Sequence, residues 1–237
     1  MATERIECQA VVLSSMAYGE SDRIIRLYTE RKGKLSVLVK GAKSRRSRNL
    51  PLTEVFTFGR YRLSAGKSFY YLNSGKILQS NLAMRDSYDR LIYASAIVEI
   101  VDRSSLEGQG TPRIFSLLRK ALYEMSESDE PILIFMGFVI KYLSFMGYRP
   151  LIPSEDEGSY VFSPDRGIAG KSEVVGDAIH IDKADIYTFR HLLYTPLDKI
   201  NLREIDARTK EKVYRLLKQY TVVNLELNSI QSLQLRM

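Results

Sequence analysis

The chain has 237 residues, 45 % hydrophobic and 27 % charged, which fits one large or two modest globular domains and excludes a chiefly disordered or low-complexity chain. Its formal net charge of +7 is unevenly placed: residues 1–80 hold 15 of the 35 Lys and Arg but only 6 of the 28 Asp and Glu. That asymmetry points to an N-terminal module that meets a polyanion and a second part with another task.

The opening residues are charged and carry no apolar signal core. Residues 5–14 lean toward a strand and contain Cys8, the chain's single cysteine, so no internal disulfide forms and the thiol reads as a small core residue. A turn over Met16–Ser21 leads to a strand at 22–29. Arg31-Lys32-Gly33 then reverses the chain into a strand at 34–40, a hairpin signal. The stretch Arg31–Arg48 carries eight cations (Arg31, Lys32, Lys34, Lys40, Lys43, Arg45, Arg46 and Arg48) and no acidic residue. Its middle is β-prone; its end, Gly41–Arg48, holds only small residues and cations. Past Pro51, runs at 54–63 and 68–78 read as strands joined by a turn at Ser64–Lys67. Five short strands without a long helix predict a small five-stranded OB-like β-barrel over residues 1–80.

Period-2 alternation sets Lys34, Ser36, Leu38 and Lys40 opposite Leu35, Val37 and Val39. In 54–63 it puts Phe56, Phe58, Arg60 and Arg62 on one face, against Val55, Tyr61 and Leu63 on the other. Cations mixed with rings would suit a single-strand binder, and the competing expectation is that Phe56 and Phe58 are core and only the arginines reach water.

From residue 81 the pattern becomes helical. Leu82, Leu91, Ala94, Ile97, Val98 and Val101 fall at helical spacing over 82–106, and Gly108-Gln109-Gly110 breaks the run. Thr111-Pro112 opens a helix over 112–126. Pro131 opens another to about 146, which Gly147 ends. This most hydrophobic run, Pro131–Tyr148, is too short for a bilayer span and contains Lys141, so it predicts a buried helix and a cytoplasmic protein without membrane contact. Residues 148–180 read as an irregular or short β insert, and helices resume at 183–194 and 206–220. The fold class expected is therefore α+β multidomain: the barrel over 1–80, then an all-α domain over 81–237 carrying the insert.

Tests for catalysis are negative. Gly66-Lys67-Ser68 and Gly170-Lys171-Ser172 lack the earlier glycine of a phosphate loop, since Tyr61 and Asp165 stand there. His180 and His191 have no metal-ligand spacing. Glu155-Asp156-Glu157 offers a cation site for a metal-dependent nuclease, against a solvated acidic turn as the plainer reading. No enzyme, metal or cofactor is expected. The candidate polyanion contacts are the eight cations of Arg31–Arg48 with Arg60 and Arg62. In the helical part, Arg208, Lys212 and Arg215 share one helix face at i, i+4, i+7 beside Val213, Leu217 and Tyr220, a candidate partner-binding rim.

Several stretches resemble the RecO family of bacterial recombination mediators. They are Tyr18-Gly19-Glu20-Ser21-Asp22, Thr29 with Gly33 four residues on, Lys40-Gly41-Ala42 running into the basic loop, and Leu50-Pro51-Leu52-Thr53. Weaker matches are Met146–Pro150, Phe162-Ser163-Pro164 with Gly167, and Leu227–Leu233. The resemblance implies an N-terminal OB-fold, a C-terminal helical domain and a non-enzymatic DNA-repair role in the bacterial cytoplasm, with the nucleoid. It implies binding of single- and double-stranded DNA, strand annealing, and action with RecR to load RecA on strands covered by single-strand-binding protein (SSB), whose acidic tail is also contacted. The rival readings are an RNA- or single-strand-binding OB protein of another pathway, the nuclease, and a structural scaffold. Many family members carry a four-cysteine zinc site in the segment matching 148–180. Arg149–Gly176 has no cysteine here, so no structural zinc is expected.

Overall fold

The computed structural model describes residues 4–153, 160–170 and 179–235. By contacts between Cα atoms the chain forms two compact units, Met1–Glu127 with Gln231–Met237, and Ser128–Ile230.

In the first unit, β1 (Arg5–Tyr18), β2 (Asp22–Thr29), β3 (Gly33–Val39), β4 (Phe58–Ala65) and β5 (Tyr70–Gln79) close into a barrel of order β1-β2-β3-β5-β4. All pairings are antiparallel except the short β3–β5 closure, Val37↔Tyr70 and Leu38↔Tyr71. β1 is long enough to pair with both β2 and β4, and a bulge between Val12 and Ser14 re-aims it. Alternation fills the interior with Val12, Ile25, Leu27, Leu35, Val37, Val39, Tyr61 and Leu63, as the period-2 reading requires. Ala42 and Leu52 also enter this core and so pin both ends of the basic loop.

The helices of this unit, α1 (Tyr88–Ser104) and α2 (Pro112–Glu127), follow a 3₁₀ turn at Leu82–Asp86. Ser87 caps α1 by accepting from the Arg90 N–H. α1 packs against β1. The carboxylate of Asp102 receives Arg26 Nη1 at 2.8 Å and lies 3.7 Å from Lys34 Nζ, which also donates to the Asp102 carbonyl at 2.5 Å. Beyond α1, Ser36 Oγ donates to Glu107 Oε1, and Gly108 N–H donates to the Lys34 carbonyl at 3.1 Å. The outward residues of β2 and β3 are therefore largely covered: Ile24, Tyr28 and Leu38 are buried. α2 covers the start of β4, where the rings of Phe58 and Phe115 lie 6.1 Å apart and Arg119 stands over Phe58.

Two expectations about local structure are corrected. β1 runs on through Tyr18, so the first turn is confined to Gly19–Ser21. Residues 54–57 are not strand: Phe56 adopts φ 75°, a left-handed conformation uncommon for a bulky side chain, and β4 starts at Phe58. Phe56 N–H and carbonyl are both used, by the Val12 carbonyl at 3.0 Å and the Asn81 side-chain amide at 2.8 Å, and its ring is buried. Phe56 and Phe58 are core, and Arg60 and Arg62 alone of that predicted face reach water.

The second unit packs α3 (Pro131–Phe145), α4 (Lys183–Tyr194) and α5 (Ala207–Asn224) on one another. Asp182 and Asp185 form a capping box at the start of α4, and Asp206 caps α5. A small antiparallel sheet, β6 (Tyr160–Ser163) between β7 (Gly167–Gly170) and β8 (Ile179–Ile181), occupies the insert. Phe162 anchors it, stacked on Phe189 at 5.9 Å and edge-on to Tyr220. The donor set does not fit a zinc site: the chain's one cysteine is Cys8, in the barrel, and the described part of the insert is held by Val161, Phe162, Ile168 and Ile181, all buried.

Candidate nucleic-acid interface

Gly41, with φ 64°, turns the chain out of β3 into the basic loop, and the β1–β2 turn fixes that exit. Asp22 Oδ1 accepts the Gly41 N–H at 2.8 Å, Ser21 carbonyl accepts the Lys43 N–H at 2.9 Å, and Gly19 carbonyl accepts Lys43 Nζ at 3.0 Å. The Gly41 N–H, then the Ser21 hydroxyl, hold the Asp22 carboxyl below the usual carboxylate range. Two successive turns follow, closed by Ser47 N–H to Ser44 carbonyl and Leu50 N–H to Ser47 carbonyl. Arg45, Arg46 and Arg48 are exposed, and their guanidinium groups have no hydrogen-bond or ion-pair partner among the described residues. Uncompensated guanidinium groups on a short, doubly anchored loop are suited to phosphate oxygens.

The other sequence-predicted cations divide. Lys40 is exposed and its Nζ stands 5.9 Å from the Tyr71 ring centroid. Arg60 and Arg62 project from β4, Arg62 directly across from Glu7, with Arg62 Nε 2.8 Å and Arg60 Nε 3.8 Å from its carboxylate; Arg62 holds that carboxyl below its ordinary range. Exposed Lys76 pairs across from Arg60 and extends this outer stripe onto β5. Lys32 pairs with Glu4 at 2.7 Å, and it borders, with exposed Arg31 and Arg60, a cleft of about 430 Å³. Cys8 also borders that cleft, its thiol pushed up to about 11 by burial, so it stays a protonated packing group. Lys34 stands apart: its side chain is 14 % exposed and engaged by Asp102.

Sequence reasoning missed the rings beside these cations. Tyr18 at the end of β1 is 49 % exposed and Tyr71 at the start of β5 is 36 % exposed. Phe69, in the β4–β5 turn, meets Tyr18 edge-on at 6.3 Å. The signal in the chain was aromatic residues flanking the two turns Gly19–Ser21 and Gly66–Phe69, which meet at one end of the barrel together with Lys40, Lys43 and exposed Lys67.

In the second unit, Arg208 and Arg215 are exposed and border a cleft of about 670 Å³. Lys212 between them is bonded to buried Asp185 and lies 4.0 Å from Asp182. Val213, Leu217 and Tyr220, the apolar residues beside this rim, are buried in the core and offer no surface to a partner. Asp182, Asp206 and Thr209 border the cleft instead. Glu155–Glu157 and Lys171-Ser172 lie outside the described residues, and among the described residues no cluster suits a metal ion. No described helix is long and apolar enough to cross a membrane.

A closed five-strand OB-like barrel bearing an exposed cationic loop, joined to helices, defines the class of nucleic-acid-binding barrel proteins. Comparison with known families places the chain within it. The sequence model of the Recombination protein O N-terminal family matches residues 1–81 and that of the C-terminal family matches 85–234; the chain belongs to the RecO family of DNA-repair and recombination proteins. It is similar to the DNA repair protein RecO of Acetivibrio thermocellus (34 % identity over 150 residues, 63 % of this chain and 60 % of that protein). It is also similar to those of Desulfitobacterium hafniense (30 % over 219 residues, 86 % and 79 %) and Clostridium acetobutylicum (29 % over 227 residues, 91 % of each).

Proposed function

We propose that the chain binds single- and double-stranded DNA without sequence preference, anneals complementary strands, and helps load RecA on SSB-covered DNA with RecR, in the bacterial cytoplasm at the nucleoid. The observation that carries this is the loop Gly41–Arg48, whose exposed Arg45, Arg46 and Arg48 have no guanidinium partner among the described residues and stand beside Lys40 and Lys43 on the closed barrel. Cations that neutralise phosphates release counterions and lower the repulsion between two strands, which is the electrostatic requirement of annealing. No covalent step is involved. Contacts to phosphates position a strand without reading its bases, in keeping with a mediator that must accept any sequence. Lys34 is left out of this face because Asp102 already holds it. Arg31, Lys32, Arg60 and Arg62 form its flank. In the second unit, Arg208 and Arg215 are the candidate contacts for the acidic SSB tail, with Lys212 between them engaged by Asp185 of the neighbouring helix.

The test is annealing of complementary labelled strands, bare and SSB-covered, by wild type and by Arg45→Ala/Arg46→Ala/Arg48→Ala. Faster annealing by wild type that the triple variant loses supports the reading. Strands cut rather than paired, in magnesium or manganese, would turn it to the nuclease. Preference for RNA in competition would turn it to an RNA-binding role.

A further inference from the structure

We propose that Tyr71, with Phe69 and Tyr18, forms a base-stacking platform at the loop end of the barrel, and that this platform makes the site favour single strands over duplex. The inference rests on the nucleic-acid reading of the adjacent loop.

Three exposed or half-exposed rings from separate places in the chain meet the lysines here. Tyr18 ends β1, Phe69 belongs to the β4–β5 turn and Tyr71 is the second residue of β5. The barrel core does not use them; its aromatic residues are Tyr61 and, packed against it, Tyr70. The Tyr71 ring is held in place. A Cβ built on Gly66 would lie 2.3 Å from Tyr71 Cε2, so the ring packs directly on the bare glycine backbone. The turn beneath is closed by Gly66 N–H to the Phe69 carbonyl at 2.9 Å. Lys40, the residue after β3, stands over the ring, and the parallel pairing of Leu38 with Tyr71 brings the two strands together there. Phe69 is in turn braced edge-on by Tyr18. Tyr71 is thus seated on the turn with a cation at its border, and Phe69 and Tyr18 pack on each other beside it.

The rest of the barrel narrows the choice of surface. The outward side of β2 and β3 is largely covered by Asp102, Glu107 and their neighbours, as described above. Open outer surface remains on β4–β5 and at the end where the β1–β2 and β4–β5 turns meet. In barrels of this kind those two turns border the nucleic-acid strand. Duplex bases present their edges and hide their faces, whereas a single strand offers faces to stack. Phosphate contacts by Lys40, Lys43, Lys67 and the arginines serve both forms alike. The rings serve only the single strand, so they set the ratio between the two.

The measurement is fluorescence anisotropy with a labelled oligothymidylate and with a duplex of the same length, at one salt concentration. Tyr71→Ala should weaken single-strand binding roughly tenfold while leaving duplex binding within about twofold, and Tyr71→Phe should retain both. Gly66→Ala, which displaces the ring without removing it, should act like a milder Tyr71→Ala. The chain has no tryptophan, so Tyr71→Trp introduces a single indole. Its emission should be quenched by the oligothymidylate and not by the duplex. Wild type that binds both forms while Tyr71→Ala changes neither, or weakens both equally, overturns the platform and leaves the loop reading standing. Wild type that binds neither form at physiological salt overturns both.

Discussion

Asp22 and Gly41 are joined by a hydrogen bond of 2.8 Å from the Gly41 N–H to Asp22 Oδ1, and that bond sets where the basic loop leaves the barrel. It explains why Tyr18–Asp22 and Lys40-Gly41-Ala42, distant in sequence, act as one unit. Asp22→Ala should leave the barrel folded yet loosen the loop, read as faster proteolysis at Lys43–Arg48 and weaker DNA binding. The Asp22 carboxyl is lowered by this bond, so its contribution is present above the ordinary carboxylate range and is lost as pH falls through the lowered value. Loop proteolysis of wild type should therefore approach that of the variant only in acid; equal rates at neutral pH would show that the bond does not hold the loop.

Gly33 carries a second constraint. At φ 59° it favours glycine, and an added Cβ would lie 1.9 Å from the Gln109 carbonyl oxygen. Backbone, not a movable side chain, blocks it. Gly33→Ala should cost at least about 2 kcal/mol in urea unfolding, and a loss under about 0.5 kcal/mol would mean that the 106–110 segment moves aside readily.

The Lys34–Asp102 pair separates support from DNA contact. Asp102→Ala leaves Lys34, largely buried, without its counter-charge and should destabilise by about 2–3 kcal/mol, with Arg26 more exposed and so less affected. Lys34→Met should lower stability yet leave the salt dependence of DNA binding unchanged. A flattened salt dependence would return Lys34 to the DNA face.

Lys141 predicts a pH response of the second unit. Burial lowers its ammonium from 10.5 to about 8, although Nζ donates to the Leu192 carbonyl at the end of α4. Below pH 8 the group is charged in both states and the fold bears the desolvation. Between about 8 and the unfolded value the native state sheds its proton first, so stability should rise with pH across that window. Lys141→Met should abolish the rise; a parallel pH profile in the variant would contradict it.

The sequence carried the barrel well because Leu35, Val37 and Val39 alternate against Lys34 and Ser36, and one buried face fixes strand register. It misread 54–57 because β-prone residues there are overruled by the Phe56 backbone, held by Val12 and Asn81. Of the site, the loop arginines were legible as charge with nothing nearby in sequence to balance it. Lys34 looked the same, since its partner Asp102 lies 68 residues away and only folding brings it in. Tyr18, Phe69 and Tyr71 were invisible as a group for the same reason: two turns must meet before their rings do. On α5, spacing placed Arg208, Lys212 and Arg215 on one face but could not reveal that Asp185 claims the middle one.

The most direct test of the central claim is the salt dependence of single-strand affinity. For about five phosphate contacts the log–log slope should be near −3.5, and Arg45→Ala/Arg46→Ala/Arg48→Ala should make it shallower by about 2. A triple variant that keeps the wild-type slope would remove the loop from the DNA site and contradict the account.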